Sequence, residues 1–138
     1  MPLLLDLGMP MEEVAQIMTA VGNHEEQNGR AVSEITAALI IADKSDAHRT
    51  RVRRNKPYDP TDIHDRVNNA IKKNSVTIDR ENHIISFEIL MDDSSSIMDF
   101  LEIYLSRMLF SERAAEVLGC SFRLIINGML VNNLNPKA

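Results

Sequence analysis

Tryptophan is absent and aromatic residues make up only 4% of the chain, so the core rests on Leu, Ile, Val and the eight Met. Aromatic platforms for stacking bases are not expected. A single cysteine, Cys120, excludes an intrachain disulfide and with it a stapled, secreted fold, so a reducing compartment, the cytoplasm, is expected. The longest uncharged apolar runs, 1–5 and 37–42, fall far short of the ~20 residues of a membrane-spanning helix. Asp6 is the first charged side chain, which leaves the first residues without the basic segment of a secretory signal. A Gly-rich phosphate loop, a GxSxG elbow and a metal-spaced Cys pair are also missing, and these would mark the usual motif enzymes.

What is present suits one compact unit. Across 138 residues, 44% are apolar and 25% charged, so disordered and collagen-like classes are excluded. Fifteen Lys and Arg against twenty Asp and Glu give a net charge of −5, which opposes non-specific attraction to a polyanion. Nucleic acid is therefore not an expected partner, and neither is a membrane.

The periodicity divides the chain into two parts. Leu3, Leu4, Leu5 and Leu7 predict a short helix ending at Gly8. A second helix from Pro10 carries Val14, Ile17, Met18 and Val21 on one face and stops at Gly22. A third helix begins near Ser33, with an apolar stripe through Ile35, Ala38, Leu39 and Ala42 that runs on to Asp43 and Asp46. Asp59-Pro60-Thr61-Asp62 reads as a helix start, with Asp59 as the cap, Ile63, Val67, Ala70 and Ile71 as the apolar face, and Lys72 and Lys73 at its end. Val76 and Ile78, then Ile85, Phe87 and Ile89, alternate as two antiparallel strands about a turn at 79–83. Ile97, Leu101, Tyr104, Leu105 and Met108 line a long helix that closes at Gly119, in which Met98 and Met108 are expected as packing. Phe122, Leu124 and Ile126 form a strand, and Asn127-Gly128 turns it into a short further strand. The expected fold class is α+β, with an N-terminal helical region, 1–74, and a small antiparallel sheet with one long helix in ββαβ order, 75–138. The two are packed together as one unit.

Three groups of residues suit chemistry. His24 with Glu25 and Glu26 places one imidazole and two carboxylates just past a helix, donors for metal or protons or else a solvated helix end. Asp43, beside an apolar stripe, needs a cation or hydrogen-bond donors, or pairs with Lys44 or Arg49. The basic run from Lys44 to Lys56 holds Arg49, Arg51, Arg53 and Arg54. It suits a phosphate or a solvated face, and its spacing scatters the side chains around a helix and favours the solvated face. His64-Asp65 lies in a predicted first helical turn, where an acid already suits the helix dipole, and reads as structural. Cys120, at a helix-to-strand junction, reads as an inert thiol.

Leu7-Gly8-Met9-Pro10 leading to Gly22-Asn23-His24-Glu25-Glu26, then 37–46 and Arg49 to Arg53, resembles HD-domain metal-dependent phosphohydrolases. The stretch Asp62-Ile63-His64-Asp65-Arg66-Val67, and that from Ile97 through Arg107-Met108 to Gly119-Cys120, is similar to the appended C-terminal region of one bacterial branch of that family. The resemblance covers nearly the whole chain. It implies an all-helical domain in which a divalent metal is held by an early His, a paired His-Asp and a later Asp, and activates water against a phosphate ester. Asp43 matches the later Asp, and His24 resembles an additional histidine placed around a second metal or the phosphate. Lys44 and Arg49 are implied neighbours of the substrate phosphate. The early His and the His-Asp pair belong upstream of Met1, and His64-Asp65 does not replace them.

The resemblance thus implies a truncated phosphohydrolase whose metal site is incomplete and which is not catalytically competent by itself. The alternative is a non-catalytic self-association or regulatory module. The apolar faces of Leu3 to Leu7 and Ile35 to Leu39, which the missing helices would cover, predict a homodimer or larger assembly.

Overall fold

The computed structural model describes residues 2–52 and 56–132. Five α-helices and four strands are arranged in it in the order α1 (Pro2–Asp6), α2 (Met11–Gly22), α3 (Glu34–Lys44), α4 (Ile63–Ala70), β1 (Ile71–Asp79), β2 (Ile84–Met91), α5 (Ile97–Val117), β3 (Ser121–Ile126) and β4 (Met129–Leu130), with a 3-10 turn at Arg49–Arg51 between α3 and α4. Arg53 and Arg54 of the basic run lie outside the described residues.

Local chemistry explains most boundaries. Gly8, at φ 83°, closes the turn between α1 and α2. Ser33 caps α3 by accepting a hydrogen bond from the Thr36 amide. Ser96 and Asp99 form a reciprocal capping box on α5. Asn127 and Gly128, both at positive φ, make the tight β3–β4 turn.

Two boundaries fall elsewhere than expected. The cap of α4 is Asp62, whose carboxylate accepts from the His64 amide, while Asp59 instead accepts from the amide and hydroxyl of Thr61 in the preceding turn. Both aspartates suit a cap, and the first turn of α4 forms three residues later than the proline suggests. Lys72 and Lys73 belong to β1 rather than to the end of α4. Helix passes directly into strand at Ile71, which pairs with Met91 before an irregularity at Lys73 restores regular register.

The sheet is mixed, not antiparallel. Its order is β1-β2-β3-β4, with β1 antiparallel to β2, β2 parallel to β3, and β3 antiparallel to β4. The 21 residues of α5 carry the chain back along the sheet, so β3 starts beside the start of β2 and runs with it. Ile85, Phe87, Ile89, Phe122, Leu124 and Ile126 face one side and are buried together with Phe100, Tyr104, Met108, Phe110, Ala114 and Ala115 of α5. Ala37, Ile40 and Ile41 of α3 join the same apolar core, so α5 packs between the sheet and the N-terminal helices. Met98, expected as packing, is exposed in the first turn of α5, whereas Met108 is buried.

The face of α3 is also corrected. Thr36, Ala37, Ile40, Ile41 and Lys44 are buried, whereas Ile35 is 46% exposed and Asp46 lies past the helix end on the surface. Thr36 tolerates burial because its hydroxyl meets that of Ser33 at 2.9 Å, and Lys44 because carboxylates surround it. Exposed Leu3, Leu7, Met11, Met18 and Val21 extend the outward apolar surface over α1 and α2. No helix of the described residues is long and apolar enough to cross a membrane.

The 23–29 loop folds back so tightly that a Cβ on Gly29 would run into the carbonyl oxygens of Asn23 and Glu25. Gly29→Ala is expected to destabilise the protein by about 1–3 kcal/mol, the usual cost of an overpacked contact, and to shift the amide resonances of residues 23–26. Urea unfolding and heteronuclear NMR measure both, and an unchanged spectrum would contradict this account of the loop.

Candidate functional site

The C-terminus of α2 leaves carbonyls without helical partners, and the residues after it supply donors. The Asn23 side chain donates to the Thr19 carbonyl at 2.9 Å, and Nδ1 of His24 meets the Val21 carbonyl. Only N–H can satisfy a carbonyl, so Nδ1 carries the ring proton in that contact. Nε2 is left 3.2 Å from the Glu25 carboxylate.

The last turn of α3 brings Asp43 and Lys44 to the same place. Lys44 is only 3% exposed, and its Nζ donates to Asp43 Oδ2 at 2.7 Å, lies 2.8 Å from Glu26 Oε2 and approaches Glu25 Oε2 at 3.8 Å. Arg107 of α5 places Nε 3.5 Å from the other oxygen of Glu26. The cluster therefore joins the loop after α2, the end of α3 and the middle of α5. It consists of three carboxylates, two fixed cations and one imidazole.

The cations govern its titration. Burial alone would push Glu26 up, but the hydrogen bond and charge of Lys44, a backbone amide and the charge of Arg107 outweigh it and hold the carboxyl below its ordinary value of 4.5. Asp43 is likewise held below 3.8, because Lys44, His24 and Arg107 together overcome its desolvation. Burial would lower Lys44, yet its bonds to Asp43 and Glu26 and their charges hold it above 10.5. All three are thus ionised at neutral pH.

Of the residues singled out in the sequence, His24, Glu25, Glu26, Asp43 and Lys44 meet here. Asp43 is 45% exposed and takes the pairing with Lys44 that was open to it, so it does not face inward. Arg49 makes different contacts, donating to the Asn69 carbonyl at 3.3 Å and lying 3.9 Å from Asp92, whose other cation is Lys72. It braces the 3-10 turn against the end of α4 and the loop after β2. Asp46 pairs with Arg51 at 2.6 Å. His64 and Asp65 occupy the first turn of α4, where Asp65 accepts from the Asp59 amide at 3.3 Å.

One member of the cluster carries no local signal: Arg107 stands far along the chain from Glu26 on a helix rich in apolar residues. Among the described residues no three His, Cys, Asp or Glu side chains are grouped to enclose one ion. Compared with known protein families, curated proteins and solved structures, the chain matches none.

Removing the buried cation leaves Glu26 and Asp43 facing each other without it. Lys44→Met is expected to cost about 3 kcal/mol in urea unfolding, the usual penalty for breaking a buried ion pair from one side. The depressed carboxyls contribute stability that is complete above their ordinary values and is lost as pH falls through the depressed ones. The elevated Lys44 contributes below 10.5 and loses its share as pH rises past its own value. The native protein should therefore lose more stability than Lys44→Met between about pH 5 and pH 2. Thermal midpoints recorded across that range test the difference, and parallel curves would contradict it.

Proposed function

We propose that the chain carries the later-ligand portion of an HD-type metal-dependent phosphohydrolase and contributes two donors, His24 and Asp43, to a divalent metal site that needs others. The observation that carries this reading is the setting of His24. Its Nδ1 is satisfied by a backbone carbonyl, the usual outer partner of a metal-binding imidazole, its Nε2 lies 3.2 Å from the Glu25 carboxylate, and the ring is near enough to help hold the Asp43 carboxyl below its ordinary value. The sequence resemblance around 22–26 and 37–46 supports the same pair.

Two donors suit a ligand shell without filling one, since a catalytic site of this kind takes about three protein ligands and keeps a position open. A bound divalent ion would supply Lewis-acid activation of water toward a phosphate ester. His24 and Asp43 would orient it, and Lys44 fixes the Asp43 carboxylate while keeping it ionised. By itself the chain is not a competent hydrolase in this reading.

Titration with Mn2+, followed by calorimetry and by the His24 ring signals with Zn2+, tests it. The expected result is weak binding, with Kd of order 0.1 mM or above. It should be lost in both His24→Ala and Asp43→Asn, with no hydrolysis of p-nitrophenyl phosphate. Tight stoichiometric binding with hydrolysis would refute the incompetence. Unchanged His24 signals would refute the donor role.

A second reading, a non-catalytic self-association module, is favoured by the outward apolar side chains of the first two helices. Leu3 is 69% and Leu7 75% exposed. Such a surface gains by pairing with another apolar surface. Sedimentation at micromolar concentration should then detect a dimer that Leu3→Glu with Leu7→Glu abolishes, and a strict monomer would count against it.

A further inference from the structure

A cavity of about 410 Å3 opens between the 3-10 turn, the start of α4 and the middle of α5. Its volume falls in the range of small-molecule sites. Arg51, Lys56 and Arg107 bring three fixed cations to its wall, and His64 adds an imidazole. Asp62 and Asp65 line it too, but both carboxylates are engaged locally: Asp62 accepts from the His64 amide at 2.9 Å and lies 3.6 Å from Lys56, and Asp65 accepts from the Asp59 amide.

The cations are held from behind. Arg51 uses Nη1 on Asp46, and Arg107 uses Nε on Glu26, neither of which lines the cavity. A guanidinium carries five N–H donors in a fork, so one carboxylate contact leaves donors over on each arginine. Among the described residues no acceptor meets the Nη nitrogens of Arg107 or the ring nitrogens of His64. The floor is rigid, since Tyr104 donates to Asn68 Oδ1 at 2.7 Å, Asn68 donates in turn to the His64 carbonyl at 2.9 Å, and both side chains are buried. Arg107 also lies over the Tyr104 ring, 5.3 Å from its centroid, which limits its freedom.

We infer that this cavity binds a small phosphate monoester, with Arg51 and Arg107 as forked donors to the phosphate and Lys56 and His64 beside them. Two guanidinium forks match several oxygens on one centre, which a phosphate presents and a lone carboxylate does not. Ile103 and the Tyr104 ring offer an apolar wall to the ester's organic group. The site uses neither His24 nor Asp43, so it stands independently of the metal reading. Arg107 nevertheless touches both places through Glu26.

The test is titration of the isotope-labelled full chain, without metal, by inorganic phosphate and by adenosine monophosphate. Adenosine serves as the uncharged control. Saturable shifts at the amides of His64, Asn68 and Ile103 are expected with both phosphates and not with adenosine. Arg51→Gln, at an exposed side chain, should weaken binding about tenfold, the loss of one charge-assisted contact. Arg107→Gln should do the same, and Arg80→Gln, in the β1–β2 turn, should not. Should Arg107→Gln fail to fold, Arg51→Gln decides alone. Absence of saturation at those amides up to about 10 mM phosphate, or affinity unchanged in Arg51→Gln, would overturn the assignment.

Discussion

A lysine that is almost wholly buried has to be matched by carboxylates, and the N-terminal half of this protein is arranged around that requirement. The Lys44 ammonium lies between Asp43 on its own helix and Glu26 on the loop after α2. Glu26 reaches on to Arg107 of α5. Desolvation of these charges is costly, and it is tolerated because each of them has an opposite charge within about 4 Å. The network sets where the loop ends and how α3 meets α5, and it places His24 beside Asp43. Tight folding of the loop through Gly29 is part of the same arrangement, since the carbonyls of Asn23 and Glu25 stand where a side chain would be.

The rest of the core follows from one crossover. Because α5 returns the chain along the sheet, β3 joins β2 in parallel, and the buried faces of both strands meet the same side of the helix. The opposite side of α5 receives α3, so one helix serves two layers. Its polar residues then fall at the margins: Arg107 toward the loop and the cavity, and Asp99 toward Arg66 at 3.5 Å. A helix in that position links the sheet to the charged cluster and to the neighbouring cavity.

Much of this was legible in the residues themselves. Gly8, Ser33 and Asn127-Gly128 mark their turns and caps through backbone chemistry that acts over a few residues, and each lies where expected. The ββαβ order was legible as well, from the change of period after α4. The face of α3 was not, because Ile35 and Leu39 make as good an apolar stripe as Ala37, Ile40 and Ile41. Only the neighbours of α3 choose between them, and they choose the side on which Thr36 and Lys44 find partners. The start of α4 is ambiguous in the residues for a similar reason, since Asp59 and Asp62 are both fit to cap a helix and only one does. The residues leave Asp43 open to pairing with Lys44 or with Arg49, and only the fold, which sends Arg49 to the Asn69 carbonyl, decides for Lys44.

The sequence alone determined the number and type of most elements and the absence of disulfides within the chain. These depend on local propensity and residue type, which neighbours along the chain can express. Tertiary structure decided the parallel pairing of β2 with β3, the inward face of α3, the meeting of Glu26 with Arg107, and the cavity shared by Arg51, His64 and Arg107. Each of these joins residues far apart in the chain, and the cost of burying charge and apolar surface is settled only when the distant partners have met.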